Sequence, residues 1–335
     1  MASVIAGCAK NKAVEVNTAN VKYWNAWIKA QQEENPEYLW QKTPLGAYIL
    51  ESEGGEGSPL GNESAVPYVL VNYTIRDVDG EVIKSNTESI AKQLGTYSES
   101  GYYAPALWAR GAGSIPAGFD ELLSMMKPGQ RIKAVLPGWI TEIISDSYAT
   151  EEEYIKNVSG TSYILDMELV RGIIDLDFYQ VSEIIKAARN LYGEMISETD
   201  SVAKGLFYIQ LKEPTDTAHF ASGDEVKVNY SGKFVTGQCF DTSIKDTAKV
   251  HHLYNSSNTY EPMEVNWGED ASSITVGDDS SGSLIPGFQK GLFRMRTGEK
   301  GVVMFVSDLG YGGTGSGTIP GFCPLIFELE VIGKQ

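Results

Sequence analysis

Residues of the kinds that usually carry chemistry are scarce and poorly placed in this chain of 335 residues. There are three His, two of them adjacent as His251-His252 on a polar stretch, and no Ser, His and Asp constellation of the hydrolase kind. The three Cys, at 8, 239 and 323, match no zinc spacing. Asp77-Val-Asp-Gly-Glu81 opens like a calcium loop but lacks the later ligands, and Asp79-Gly80 reads as a hairpin turn. Gly310–Gly317 is rich in glycine, yet without Lys-Ser/Thr and a following helix it cannot be a phosphate cradle, and it reads as a mobile loop. No metal and no cofactor are expected. What stands out instead is a set of aromatics, Tyr230, Phe240, Phe288 and Phe327, together with Phe240-Asp241 and Ile285-Pro-Gly-Phe288. Any one of them alone would read as core. Occurring jointly, they point to a substrate pocket.

The elements around them read as strands and one short helix. Val226, Val228 and Tyr230 alternate with Lys227, Asn229 and Ser231, and Leu325, Phe327, Leu329 and Val331 alternate with polar neighbours, the period of strands with one wet face. The helix opening at Pro286-Gly287 is too short to stand alone and must lie across the apolar face of that sheet. The expected fold class is α+β, with a curved antiparallel sheet wrapped on a short helix.

The stretch Val226–Ser243, followed by Leu284-Ile-Pro-Gly-Phe288 and by Tyr311-Gly312, resembles the FKBP-type peptidyl-prolyl isomerases over most of residues 205–335. The resemblance implies that Tyr230, Phe240, Ile285, Phe288, Tyr311 and Phe327 line a pocket. Phe288, standing where the family usually has Trp, would form its floor. The Tyr311 hydroxyl and the Ile285 N–H would hold substrate carbonyls, and Asp241 would face the displaced carbonyl or hold Tyr230. Leu284, Trp267 and Ile319 are expected to contribute to substrate binding. Rotation about a prolyl amide faces a barrier of about 18–20 kcal/mol because twisting destroys resonance. A dry pocket that stabilises the twisted amide over the planar one is catalytic without acid, base or metal.

Two departures bear on this reading. Residues 242–283 form a longer connection than compact family members use, with a polar stretch at Lys249–Asn258 that could be a flap or a partner site. The aromatic that the family often carries before Ile274 is here Ser272, so one pocket wall is either missing or supplied by Trp267.

Used as a ruler, the C-terminal motif exposes an earlier copy. Leu45–Leu50 echoes Lys204–Ile209, Val69–Tyr73 echoes Val226–Tyr230, Ile115–Gly129 echoes Ile285–Gly298, and Tyr163–Val170 echoes Leu325–Ile332. Order and approximate spacing are kept. The first copy is degenerate: Ile83-Lys84 stands where the second has Phe240-Asp241, Leu165 replaces Phe327, and no Tyr-Gly follows Trp139. The expected organisation is a tether at 1–17, a helix at 18–36, a degenerate domain at 40–172, an amphipathic linker helix at 175–200 that fixes the orientation of the domains, and the isomerase domain at 204–335. Val21, Trp24, Trp27 and Ile28 form a stripe on the first helix, which either packs on the first domain or docks a partner.

A net charge of -17 without a basic cluster argues against nucleic acid. No apolar run is long enough for a membrane helix. Val4-Ile-Ala-Gly-Cys8 resembles the lipobox of bacterial lipoproteins, with lipidation expected at Cys8 and membrane attachment by that anchor only. The residues before it are too few for a signal sequence, so either the signal has been trimmed or the match is accidental. Cys239 and Cys323 could pair in an oxidising compartment, but two small buried side chains is the plainer reading. The expected setting is the bacterial cell envelope, periplasmic or anchored at the outer membrane, and the expected partners are proline-containing segments of exported proteins. The alternatives are a chaperone that binds such segments without catalysis, and an accessory subunit of an outer-membrane protein complex.

Overall fold

The computed structural model describes residues 9–197, 200–277 and 282–334, and within these the side chains of 9–17 and 282–283 are not described. The lipidation expected at Cys8 lies outside the described residues. The chain divides into two compact units, the first running up to Gly95 and resuming over Tyr103–Ile174, the second comprising Thr96–Tyr102 and the chain from Asp175 onward.

In the first unit, α1 (Ala9–Glu34) precedes β1 (Gln41–Lys42), β2 (Tyr48–Gly54), β3 (Tyr68–Arg76), β4 (Val82–Ser85), α2 (Glu88–Gln93), β5 (Ala106–Ala109), α3 (Ala117–Met125), β6 (Gln130–Leu136), α4 (Glu151–Asn157) and β7 (Tyr163–Ile173). The strands form one antiparallel sheet in the order β1-β2-β6-β7-β3-β4, with β5 also paired to β3. The first helix was expected at 18–36 after a tether, but it is already helical at Ala9. Trp24 and Ile28 bury their side chains in the first unit's core and anchor it. With no Gly or Pro between Ala9 and Trp24, nothing stops the helix from propagating back from that anchor.

The second unit contains α5 (Leu176–Tyr192), β8 (Leu206–Lys212), β9 (Glu225–Phe234), β10 (Cys239–Thr242), α6 (Lys245–Val250), β11 (Met263–Asn266), β12 (Thr275–Val276), β13 (Gly282–Ser283), α7 (Pro286–Leu292), β14 (Lys300–Phe305) and β15 (Leu325–Lys334). Its antiparallel order is β13-β12-β11-β9-β15-β14-β8, with β10 on the end of β9. Within the longer connection 242–283, the short strands β11, β12 and β13 extend the sheet beyond β9. The Lys249–Asn258 stretch begins at the end of α6 and closes on itself through Tyr254 stacked on Tyr260 at 5.4 Å.

Helix α7 has Pro at its first position and only seven residues, so packing must hold it. Its glycines permit very close packing: a Cβ on Gly287 would lie 2.3 Å from the Phe305 ring, and one on Gly291 would lie 2.3 Å from Val303. Phe288 and Leu292 thereby join Val303, Phe305 and Phe327 in one core. The opposite face is not wet throughout, as the alternation suggested. Ile184, Ala187 and Ala188 of α5 cover Phe207, Val302, Met304 and Ile326 in a second cluster. The helix expected over 175–200 is thus an integral layer of the second unit, and it is shorter than expected. Gly193 takes a left-handed conformation (φ 72°), with Gly193 and Glu194 N–H groups closing on Arg189 and Ala188 carbonyls, so Met195 and Ile196 fall beyond its end.

The duplication is visible in backbone register. Tyr73 pairs with Met167 as Tyr230 pairs with Leu329, and Ala134 pairs with Leu165 as Val303 pairs with Phe327. The same side-chain device fixes the short strand in each unit. Tyr230 N–H donates to Ser243 Oγ while Ser243 N–H donates to the Tyr230 carbonyl, and Tyr73 and Asn86 repeat the exchange.

Candidate functional site

The site forms where β9, β10, β15 and α7 meet. Strand β9 presents Tyr230, and two residues later Gly232 sits directly opposite Phe327 of β15. The pairing of β10 with β9 is irregular between Cys239 and Asp241, and this is where Phe240 lies. A bulge re-aims the side chain it carries. Behind it, Ser231 and Thr242 hydroxyls lie 2.8 Å apart, and Thr242 also donates to the Tyr230 carbonyl, which locks the irregular strand in place.

Phe327 is the hub. Its ring centroid lies 5.2 Å from Phe288, 5.9 Å from Phe240, 5.9 Å from Phe305 and 6.5 Å from Tyr230. The contacts with Phe288 and Phe240 are edge-on, at 78° and 85°, an arrangement that suits the ring quadrupoles. Phe288 and Phe327 are buried, whereas Tyr230 and Phe240 are half-buried and give the cluster an open side.

The rim is polar. Tyr230 Oη donates to Asp241 Oδ2 at 2.9 Å, with Asp241 itself exposed. Burial first, and then the Asp241 carboxylate, push the Tyr230 hydroxyl well above its ordinary pKa. Burial and the same carboxylate also raise Tyr311, which is 37% exposed, so its hydroxyl lies within electrostatic reach of this rim. Both phenols stay protonated and able to donate at neutral pH. Ile285 is half-buried and extended before Pro286, a geometry that the proline imposes, and caps α7; Leu284 is half-buried beside the same core.

Two expected contributors are placed differently. Trp267 is 4% exposed, and its ring contacts among the described residues are with Phe220 at 4.7 Å and Phe293 at 5.7 Å. Its backbone bonds to the Asp224 carbonyl and accepts from the Gly223 N–H, and the indole is buried in the same core as Phe288 and Phe327. Ser272 lies in a short turn (Ala271–Ser273) whose N–H groups are capped by Asp270, and buried Gln289 of α7 donates to the Ser272 and Ile274 carbonyls. Ile319 is 8% exposed in the core and exchanges backbone hydrogen bonds with Ser316 across the glycine-rich loop.

One residue that bears on the site had no sequence signal. Gln180 of α5 is 1% exposed, donates to Ser307 Oγ at 2.9 Å and to the Phe322 carbonyl at 3.1 Å, and accepts from Ser307 N–H at 2.7 Å. Gly312 N–H in turn donates to the Ser307 carbonyl, and Phe322 N–H to that of Gly312. Gln180 thereby holds both ends of the loop that carries Tyr311.

In the first unit the matching positions form no such cluster. Ile75 stands at the Gly232 position, Leu165 at that of Phe327, and Ile83 is 55% exposed. Trp108 of β5 lies against both rings that match the second unit's pair, 4.8 Å from Tyr73 and 5.8 Å from Phe119.

A family model of FKBP-type peptidyl-prolyl cis-trans isomerases matches residues 217–332. The FK506-binding protein 1A of Aspergillus fumigatus is 31% identical over 126 residues, which are 37% of this chain and 90% of that protein. The FK506-binding protein 2 of Dictyostelium discoideum is 31% identical over 118 residues, covering 35% of this chain and 70% of that protein. Isomerase FKBP15-1 of Arabidopsis thaliana is 33% identical over 111 residues, covering 33% of this chain and 56% of that protein. The matched segment is the one that carries the Phe327 ring cluster, and the chain belongs to the FKBP-type peptidyl-prolyl cis-trans isomerase family.

Proposed function

We propose that the second unit assists the folding of exported polypeptides by isomerising their prolyl bonds, and that the first unit is a non-catalytic partner domain. The observation that carries the catalytic part is the convergence of Tyr230, Phe240 and Phe288 on Phe327 beside the Tyr230–Asp241 hydrogen bond. A twisted prolyl amide has lost its resonance, so its nitrogen is amine-like and less in need of polar solvation. Aromatic walls receive the pyrrolidine ring, with Phe288 beneath it. Tyr311 Oη–H and the Ile285 N–H hold flanking carbonyls. Asp241, oriented by Tyr230, sets the field at the rim where the rotating carbonyl turns. Only interactions stronger in the twisted state than in the planar one speed the reaction.

For the first unit, Trp108 lying against Tyr73 and Phe119 supports the inactive reading, because an indole occupies the space next to the two rings that would hold proline. Placement in the bacterial envelope is supported by the lipobox-like Val4–Cys8.

A proline-limited refolding assay tests the catalytic proposal. Phe288→Ala removes an aromatic contact of about 1.5–3 kcal/mol, and the expected loss in kcat/KM is about ten- to a hundredfold. Full activity in the Phe288→Ala, Asp241→Ala double variant would refute the site.

A further inference from the structure

The first unit carries a hollow of about 330 Å³ whose counterpart in the second unit is already filled. Its walls are Tyr23, Trp24 and Trp27 of α1, Val78 at the tip of the β3–β4 hairpin, Trp139, and the segment Ser159–Ser162 that leads into β7. Trp24 stacks on Trp27 at 5.7 Å and meets Trp139 edge-on at 6.1 Å. Among the described residues, no charged side chain lines it.

Strand register locates the counterpart. Leu136 pairs with Tyr163 as Phe305 pairs with Leu325, so Thr161 of the hollow corresponds to Cys323 and Gly138 to Ser307. The β3–β4 hairpin corresponds to the β9–β10 hairpin, and α1 to α5, each helix preceding its sheet and reaching the turn after the matching strand: Trp24 touches Trp139, and Gln180 bonds Ser307. At this place the second unit holds its segment Thr96–Tyr102. The Tyr102 ring packs edge-on against Phe234 of the hairpin at 5.0 Å, and its hydroxyl senses Cys323 and the α5 residues Tyr179 and Glu183. Gln238 of the hairpin donates to the Glu99 and Gly101 carbonyls, both at 2.6 Å. A loop that turns between Ser98 and Gly101 is thus held by its backbone, with a tyrosine as the anchor.

We propose that the hollow on the first unit is a docking seat for a turn-forming, tyrosine-bearing loop of a partner protein, received as the second unit receives Tyr102. The aromatic walls suit a tyrosine ring, and Asn20 and the Ser159–Ser162 segment offer neutral polar partners to its backbone. The chain's own tyrosine loop is engaged by Gln238, so a second copy would have to give up that seat to act as the occupant. The proposal does not rest on isomerase activity.

The test uses the full chain with 15N-labelled tryptophan, titrated with a synthetic peptide of the Thr96–Tyr103 sequence and followed by indole NMR signals. Saturable shifts of Trp24, Trp27 and Trp139 are expected. They should vanish with a peptide carrying Tyr102→Ala and weaken at least tenfold in the exposed-position variant Asn20→Arg, and likewise in Trp27→Ala, while prolyl isomerase activity stays unchanged. Absence of shifts at millimolar peptide would overturn the proposal, as would shifts confined to Trp267 of the second unit. Self-association that Asn20→Arg abolishes would overturn the choice of occupant in favour of a second copy.

Discussion

Gly232 lies directly beneath the ring of Phe240: a Cβ at Gly232 would stand 2.6 Å from Phe240 Cε2 and Cζ and 3.0 Å from Phe327 Cε1. The absence of a side chain there is what lets two aromatic rings from β10 and β15 converge over β9. The first unit shows the alternative, with Ile75 at this position, Leu165 across from it and Ile83 turned to solvent.

Gly232→Ala is therefore expected to displace rigid rings, not flexible chain ends. Overpacking of this kind costs about 1–3 kcal/mol, and the expected result is a loss in kcat/KM of about tenfold or more, with chemical denaturation showing a parallel drop in stability. The reciprocal change, Ile75→Gly, creates no activity, since Trp108 still lies against Tyr73 and Phe119. Isomerase assays on both variants check the pair.

How far the sequence led differs from residue to residue. Tyr230, Phe240, Asp241, Phe288 and Phe327 were legible because the motifs that carry them resemble those of a family in which the matching residues share one pocket. The worn first copy was legible because the order of its segments repeats. Trp267 was not, since a tryptophan at a strand end reads the same whether it faces pocket or core, and here the indole is buried against Phe220 and Phe293. Gln180 was invisible because its partners lie 127 and 142 residues away and a glutamine on an amphipathic helix carries no pattern. The extent of α5 was overestimated because the apolar stripe continues past Gly193, where the backbone does not.

Gln180→Ala is expected to leave Ser307 N–H and the Phe322 carbonyl without their partner in a buried place, at a cost of about 1–3 kcal/mol. The sheet and the ring cluster do not depend on these bonds, but the loop carrying Tyr311 does. On a short prolyl peptide, KM should rise severalfold with a smaller change in kcat, the signature of lost ground-state positioning. Gln180→Glu, which keeps the acceptor for Ser307 N–H, should recover part of the loss. Equal falls in kcat and kcat/KM would instead place the residue's effect on the twisted state alone.

The second unit should be sensitive to alkali. Tyr192, Tyr208 and Tyr230 donate to the carboxylates of Glu328, Glu299 and Asp241 at 3.0, 2.5 and 2.9 Å. Burial, with these carboxylates next, raises all three hydroxyls above the ordinary value of 10.0. A raised pKa in the folded state gives stability that is complete below the unfolded value and lost as pH climbs toward the folded one. Denaturation midpoints should hold steady from pH 7 to about 9.5 and fall above 10. The isomerase pH–rate profile should stay flat over the neutral range, since no phenol at the rim ionises there. In Tyr230→Phe the alkaline slope becomes shallower, which a midpoint-against-pH series would detect.

Cys239 and Cys323 are both buried and free, so the alternative of a disulfide between them is not adopted in this fold. Burial pushes the Cys239 thiol up to about 11 and the Cys323 thiol up to about 12. The thiolate is the reactive form, so at pH 8 both are doubly protected, by the small fraction ionised and by the packing around them. Alkylation of the native protein with iodoacetamide should be slow at both positions and become fast only on unfolding in denaturant. Cys239 has the lower pKa, so the larger fraction of its thiol is ionised at pH 8. Cys239 should therefore react first. Mass mapping of the alkylated residues against time would read that order directly.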